Sequence, residues 1–207
     1  MSLLQDYISE GEHLSQDFKF RIDDQRKIAR TLCAFANTAG GRLLIGVKDN
    51  GKVVGVDPQE EFYMIDGAAS LFCTPQVKFT SRIWQEDHKL VLEITVPFSL
   101  DRPHRSPDEM GKLRQYIRVG DETLVAGKIQ ERVWALQRSH VSRPEKFGES
   151  EMGLLQTLQG LQPVSLSKLY KLSGLPLKEV DRLLVLLICW NVVEIVHSKE
   201  GTKFRLR

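Results

Sequence analysis

AFANTAGGRLLIGVKDNGKVVGV, residues 34–56, is the stretch of this 207-residue sequence that decides its fold. Apolar residues at helical spacing predict a helix over residues 24–36, which runs into this stretch. Gly40 and Gly41 end that helix, because glycine adopts the left-handed conformation that closes a helix. A phosphate-binding P-loop has the opposite order, with a strand first, then the glycine-rich loop and a helix. The glycine pair therefore indicates tight packing between helix and strand and does not indicate an ATP site.

A tight β-hairpin is predicted directly after the glycine pair. The apolar run over residues 42–47 predicts a buried strand, and residues 52–56 are predicted to be its partner. Asp49, Asn50 and Gly51 lie between the two segments and supply the positive φ angles of a tight turn. The deciding stretch is therefore expected to form the end of a helix and one complete hairpin.

The rest of residues 1–138 mixes helices and strands without regular alternation. This mixture favours an α+β fold over a doubly wound sheet. Residues 99–112 are expected to form an exposed loop, because polar and turn-forming residues cluster there. The other predicted elements are helices over residues 58–72 and 128–138 and strands over residues 77–84, 89–96 and 115–119.

The C-terminal region has a different pattern, in which helices are followed by a hairpin. A first helix is predicted over residues 151–159, Ser165 is expected to cap a short second one, and Pro176 begins a third. Two strands, residues 192–196 and 202–206, complete the order of a winged helix-turn-helix.

The change of pattern divides the chain. The polar segment between the two regions contains Pro144 and Gly148 and has no apolar period, which predicts a linker. The predicted organisation is a mixed-sheet domain over residues 1–138, a linker over residues 139–150 and a small winged helix-turn-helix domain over residues 151–207.

Three separated motifs resemble the schlafen/AlbA-type DNA-binding domain. The first is the AFANT-GG turn of residues 34–41, which leads into a strand that ends in GV and an aspartate. The second, EHLSQDFK at residues 12–19, is similar to the N-terminal acidic element of the family, which usually closes with Glu-Phe-Lys. The third, YIRVGDETLVA at residues 116–126, is similar to the closing Tyr-x-Arg-x-Gly element. The resemblance spans residues 10–138 and implies an AlbA/schlafen-like mixed sheet and nucleic-acid binding.

The resemblance leaves an enzymatic alternative open. Some schlafen relatives are RNA endonucleases with three carboxylates, which correspond to Glu12, Asp17 and Asp49 in this sequence. Such a cluster can hold Mg²⁺ or Mn²⁺, which polarises a phosphate and activates water. Asp17 stands where the family usually has glutamate and reaches one methylene less far. Asp49 is also favoured in its turn for local reasons, so the metal site stays an alternative.

Candidate phosphate contacts are basic residues near the second and third motifs and in the last predicted elements. Arg118 is the strongest single candidate, because the closing element of the family contains an arginine at this place. The candidate nucleic-acid-binding residues are Lys19, Arg105, Lys112, Arg114, Arg118, Lys178, Arg182, Lys203 and Arg205.

The third helix of the C-terminal region is predicted to have a mixed outer face. Lys178 and Arg182 are one turn apart, at a spacing that suits contacts with phosphates or guanine edges. Val185 and Leu186 share this outer face with two acidic residues. An apolar outer face is equally typical of a dimer interface or a partner-docking module, so both interpretations stay open. The last predicted strand alternates basic and apolar residues, which predicts a basic edge on the hairpin.

Composition adds limits on location and chemistry. No apolar run approaches the ~18 residues of a membrane span and no secretory signal is apparent, so the protein is expected in the cytoplasm. Cys33, Cys73 and Cys189 form no metal-ligand or disulfide pattern and are expected to be structural. Residues 1–138 carry 19 Lys and Arg against 20 Asp and Glu, whereas residues 151–207 carry 8 against 5, so the C-terminal region is mildly basic.

Together these patterns predict a non-catalytic, bacterial-type DNA-binding transcriptional regulator. It is expected to contact nucleic acid, preferably DNA, to self-associate, to need no cofactor and to stay out of membranes. The metal-dependent nuclease and a protein-interaction or dimerisation module are the two alternatives.

Overall fold

A computed structural model of the chain describes residues 2–139, 142, 144–198 and 200–207. The chain divides into two compact units, Met1–Ala126 (unit 1) and Gly127–Arg207 (unit 2). No helix in the described ranges is long and apolar enough to cross a membrane.

Unit 1 is an α+β domain built on a four-stranded mixed sheet with the order β1-β2-β4-β3. Strand β1 is parallel to β2, whereas β4 is antiparallel to both of its neighbours. A second, three-stranded antiparallel sheet has the order β5-β6-β7. The elements of unit 1 are α1 (Leu3–Glu10), β1 (Gln16–Lys19), α2 (Gln25–Asn37), β2 (Gly41–Ile45), α3 (Pro58–Leu71), β3 (Thr80–Glu86), β4 (Lys89–Val96), β5 (Arg105–Pro107), β6 (Leu113–Val119) and β7 (Glu122–Val125).

The central strand β2 has apolar residues on both faces because both faces are covered. Leu43 and Ile45 belong to the core cluster formed with α2 and α3, whereas Leu44 belongs to a smaller cluster with Leu4 of α1. The predicted helix over residues 24–36 is confirmed as α2, whose first turn is capped by the Asp24 side chain.

The glycine pair packs helix against strand, as the sequence predicts. Gly40 has a φ of 75°, and a methyl group added to it would lie 2.8 Å from main-chain atoms of Val96 and Phe98. A methyl group at Gly41 would lie 2.2 Å from Cδ1 of Phe35. Only glycine fits such close approaches, so α2 and β2 can meet at van der Waals distance.

The predicted hairpin is present in its first strand and its turn, but the prediction of its second strand is wrong. Its turn is present, with Gly51 at a φ of 78° and a 3.0 Å hydrogen bond from Lys48 N to Lys52 O. Residues 52–56, all described, form no strand, and their β-pairing is limited to an isolated bridge between Val47 and Val53. The reason is that β1 and β4 already occupy both edges of β2, and Gly46, with a φ of 101°, turns the chain out of the sheet.

The expected exposed loop at residues 99–112 is partly buried. It contains β5, and His104 and Ser106 are almost inaccessible to solvent. The side chain of Asn37 explains this burial, because its Nδ2 donates to His104 O and Tyr116 O, both at 2.9 Å. Its Oδ1 accepts from His104 N at 2.7 Å. The last residue of α2 thus fixes both the loop and β6.

The described residues of unit 2 form a three-stranded antiparallel sheet with the order β8-β10-β9 and four helices. Leu154, Leu183 and Phe204 lie in its core. The Ser165 side chain caps α6, as predicted. The elements are α4 (Lys128–Gln137), α5 (Glu149–Gln159), β8 (Val164–Ser165), α6 (Leu166–Leu172), α7 (Leu177–Cys189), β9 (Val193–Ser198) and β10 (Gly201–Leu206).

Helix α4 belongs to unit 2, whereas the sequence-based boundary at residue 138 assigns it to the first domain. Its apolar residues Ile129 and Val133 lie in the same core cluster as α7, which is the physical reason for the difference. Of the predicted linker over residues 139–150, residues 140, 141 and 143 lie outside the described part, and α5 begins at Glu149.

Candidate nucleic-acid interface

The three motifs meet at the side chain of Arg118, which is only 2% exposed. Its Nη1 and Nη2 both lie 3.4 Å from Asp17 Oδ1, in the second motif. Its guanidinium lies 5.0 Å from the ring centre of Phe35, and its backbone N donates to Thr38 Oγ1 at 3.0 Å. Nη2 also donates to His13 O at 3.2 Å. Arg118 therefore joins the acidic element to the AFANT turn inside unit 1.

This position differs from the one that the sequence suggests for Arg118. A phosphate contact requires an accessible guanidinium, whereas Nη1 and Nη2 of this one donate to protein oxygens. Burial next to Asp17 is the physical reason, since a buried carboxylate needs a cation and hydrogen bonds.

Glu12 and Asp17 lie side by side in the acidic element. Asp17 Oδ2 is 2.8 Å from Lys19 Nζ, which also donates to Phe18 O at 2.7 Å. Glu12 Oε1 accepts from Phe18 N at 2.8 Å. Burial raises the pKa of Glu12 above its ordinary value, the Phe18 hydrogen bond lowers it, and the charge of Asp17 raises it. Lys19 is thus held against the acidic element through Asp17.

The three carboxylates of the nuclease alternative do not form a metal site. Asp49 is exposed in its turn. Across the described ranges, no group of three or more His, Cys, Asp and Glu side chains is arranged to hold a metal ion. Asp17 is already paired with Lys19 and Arg118. The residues present therefore do not fit the three-carboxylate ligand set, and we derive no step through Mg²⁺ or Mn²⁺.

Among the other predicted cations of unit 1, Lys112 and Arg114 contact Asp108. Asp108 accepts from Lys112 N at 2.9 Å and from Arg114 Nε at 3.1 Å. The bond from Arg114 lowers the pKa of Asp108. Arg105 is exposed on β5. These cations lie on the surface as expected, but Asp108 offsets part of their charge.

One surface feature is missing from the sequence interpretation. The Phe20 side chain is 49% exposed in the loop after β1. The Arg21 guanidinium lies 5.9 Å from its ring centre and Lys48 Nζ lies 5.6 Å from it. In the sequence, this feature is indicated by an aromatic residue, Phe20, that stands between the cations Lys19 and Arg21 directly after β1.

In unit 2 the first turns of α7 carry the predicted cations. Lys178 and Arg182 are exposed, and Arg182 Nη2 is 2.6 Å from Glu179 Oε1. Val185 is buried and Leu186 is half-buried, contrary to the outer position expected for them. The reason is helix α4, which packs against this part of α7.

Asp181 links α7 to two neighbouring helices. Its Oδ2 lies 2.6 Å from Arg132 Nη1 of α4, and its Oδ1 accepts a hydrogen bond from the Tyr170 hydroxyl of α6. Burial and the contact with Asp181 raise the pKa of Tyr170 to about 12. Both carboxylate oxygens of Asp181 are therefore engaged within unit 2.

The β9–β10 hairpin has the predicted basic edge. Phe204 is buried, whereas Arg205 is exposed and Lys203 is half-exposed. Arg205 forms an ion pair with Glu194, and Lys203 Nζ lies 3.2 Å from Glu200 Oε2. Lys199, in the predicted turn of this hairpin, lies outside the described residues.

The two units differ in charge. Residues 127–207 carry 13 Lys and Arg against 8 Asp and Glu, a formal surplus of five positive charges. Residues 1–126 carry 16 Lys and Arg against 19 Asp and Glu, a formal net charge of −3. The net positive charge of the chain therefore lies in unit 2.

The mixed sheet and the joined motifs of unit 1 are consistent with an AlbA-like α+β domain. The profile of the family described as Schlafen, AlbA_2 matches residues 12–126, which is more than half of the chain. The chain therefore belongs to the Schlafen, AlbA_2 family, a family associated with nucleic-acid binding. No curated protein matches it.

Two solved structures are similar to the chain in part. The DIP2311 protein from Corynebacterium diphtheriae is 18% identical with a TM-score of 0.43, over 92% of this chain and 34% of that one. The chain thus spans about a third of the length of that protein. The N-terminal domain of an ATP-dependent DNA helicase RecG-related protein from Nitrosomonas europaea is 19% identical with a TM-score of 0.44, over 72% of this chain and 100% of that one.

Proposed function

We propose that this chain is a non-catalytic DNA-binding regulator that contacts duplex DNA through a winged helix-turn-helix in unit 2. The observation that carries the proposal is the order of elements in this unit. Helices α5, α6 and α7 are followed by the β9–β10 hairpin, and the sheet order is β8-β10-β9. Gly174, with a φ of 67°, forms the turn between α6 and α7. Winged helix-turn-helix proteins have this order and place their third helix in the major groove.

The charge of unit 2 supports the same proposal. Duplex DNA binding depends on cations that neutralise phosphates, and a basic module on an otherwise acidic chain is the expected footprint. The surplus of five positive charges lies in residues 127–207 and not in the unit that contains the family motifs.

The placement of individual cations gives each a role. Lys178 and Arg182 lie in the first turns of α7, the part of a recognition helix that contacts base edges. Lys203 and Arg205 on the hairpin would contact the phosphate backbone. The Arg182–Glu179 pair is surface-exposed, and such pairs are weak enough for the arginine to exchange its partner for a phosphate.

Two parts of the proposal concern assembly and unit 1. Self-association stays a prediction, because helix-turn-helix proteins commonly read two half-sites as dimers, and light scattering would check it. Unit 1 would add contacts through Lys19, Lys112 and Arg114, which lie at its surface, with Arg118 as a positioning residue.

Anisotropy titration of a labelled duplex tests the proposal. Lys178→Ala and Arg182→Ala should each weaken binding about tenfold, the usual discrimination of a side chain at a base edge. Lys52→Ala removes one exposed charge from unit 1 and should change the affinity less than about twofold. Equal losses for all three variants, or binding that does not fall with added salt, would reject unit 2 as the DNA-binding module.

A further inference from the structure

A groove of about 570 Å³ lies between α4 and α7 in unit 2. Its apolar lining consists of Ala135, Leu136, Val185 and Leu186. This volume is within the range of sites that bind small organic molecules, roughly 300–1,000 Å³. Nothing in the proposed DNA contact uses the apolar part of this groove.

The charged lining of the groove has one sign. Arg132, Lys178 and Arg182 contribute to it, and no acidic side chain among the described residues does. Arg132 is paired with Asp181 and Arg182 with Glu179, but both acids lie outside the lining. The charged residues of the lining are therefore cations, and a ligand of negative charge is complementary to them.

The cations and the aliphatic residues occupy different parts of α7. Lys178 and Arg182 lie in its first half, and Val185 and Leu186 lie in its second half. At 1.5 Å per residue, the wall changes from basic to aliphatic over about 12 Å. This gradient matches a molecule with an anionic head and an apolar body of that length.

We infer that this groove binds a small organic anion, a carboxylate or sulfonate head on an apolar body, and that this ligand displaces duplex DNA. The displacement rests on the proposed function, because Lys178 and Arg182 would then serve both ligands. Ligand binding itself rests only on the groove. Linkage requires that the ligand weaken DNA binding by the same factor as DNA weakens ligand binding.

Direct binding to the 207-residue chain is the first arm of the test. Decanoate, below its micellar concentration, is titrated by calorimetry, and 8-anilinonaphthalene-1-sulfonate is followed by its fluorescence. Saturable binding of both at one site is expected, together with much weaker binding of the uncharged decan-1-ol and the cationic decylamine. Equal affinity for decylamine would overturn the inferred charge of the ligand.

Variants locate the ligand. Ala135 is exposed on α4, and Ala135→Trp should lower decanoate affinity by about tenfold or more, because the indole fills the apolar space. Gln137→Trp places the same side chain on the exposed face of α4 outside the lining and should leave the affinity unchanged. Lys178→Ala should weaken decanoate about fivefold through the lost charge. Equal affinities for the Ala135 and Gln137 variants would overturn the site.

Competition with DNA is the second arm. Saturating decanoate should weaken duplex binding to the wild-type chain and have little effect on Ala135→Trp, which keeps all three cations. Decanoate that binds in the groove without weakening duplex binding would overturn the regulatory link. Binding of decanoate without any duplex binding would reject the proposed function and leave the groove site standing. If an acidic helical peptide binds in the groove and neither decanoate nor the sulfonate does, the groove belongs to a protein partner and the inference is overturned.

Discussion

At the scale of single residues, the family motifs of this chain are held together by a buried ion pair. Arg118 and Asp17 are 2% and 6% exposed at their side chains. The sequence identifies Arg118 as a key residue through its motif, but it does not reveal burial. The exposure of Arg118 depends on which strand packs against α2. That packing is set by contacts between residues 80 or more positions apart in the sequence.

Arg118→Ala should reduce the free energy of unfolding by about 3 kcal/mol, because it leaves the Asp17 carboxylate buried with one cation fewer. Arg114→Ala removes an arginine from a surface pair and should leave the urea midpoint almost unchanged. Urea denaturation followed by circular dichroism measures both. A larger loss for Arg114→Ala would contradict the structural role of Arg118.

Glu12 gives unit 1 a specific pH dependence. Its pKa is raised in the folded chain above 4.5, mainly by burial, so the folded state holds the proton more tightly than the unfolded state. The contribution of Glu12 to the free energy of unfolding is therefore fully present below pH 4.5. It is lost as the pH rises through the pKa of Glu12 in the folded state.

Glu12→Gln keeps the oxygen that accepts from Phe18 N and removes the titration. The variant should be more stable than the wild type at pH 7, and the difference should vanish as pH falls below 4.5. Glu145→Gln, which changes an exposed glutamate, is the control and should leave the profile unchanged. The thermal unfolding midpoints of the three proteins, measured from below pH 4.5 to pH 7, test this expectation. A Glu12→Gln variant that is less stable than the wild type at pH 7 would contradict it.

At the scale of elements, local patterns predict most helices and strands, whereas pairing depends on distant parts of the chain. Helix α2, helix α3 and the β9–β10 hairpin agree with their predicted positions within a few residues. Residues 52–56 have the composition of a strand, but β4, more than 30 residues further along, pairs with β2 in their place. Helix α4 was predicted correctly as an element, but its partner α7 was not, because an apolar face does not specify what it packs against.

The contact between α2 and β2 can be tested with one methyl group. Gly41→Ala should destabilise the chain by about 1–3 kcal/mol, because the added methyl overlaps the Phe35 ring. Gly153→Ala is the matched control, since a methyl at this exposed position of α5 meets nothing within 4 Å among the described residues. It should stabilise the chain by about 0.4–1 kcal/mol through helix propensity. Chemical denaturation should give changes of opposite sign, and changes of equal sign would contradict this packing.

At the scale of the whole molecule, the chain combines an acidic unit that contains the family motifs with a basic unit in which helices α5, α6 and α7 are followed by the β9–β10 hairpin. The sequence predicts both modules and their order, and it places the surplus of positive charge in the second. It could not predict which cations are accessible. Arg118 is buried by contacts within unit 1. Helix α4 covers the second half of α7, so the outer face of α7 is exposed mainly in its first turns.

The proposed contact of unit 2 with DNA, through the start of α7 and the β9–β10 hairpin, is tested most directly by nuclear magnetic resonance. The backbone amide spectrum of the ¹⁵N-labelled 207-residue chain is recorded during titration with a duplex. The largest shifts are expected at Lys178, Arg182 and Arg205 and their neighbours. Shifts confined to residues 1–126, or no shifts at any duplex concentration, would contradict it.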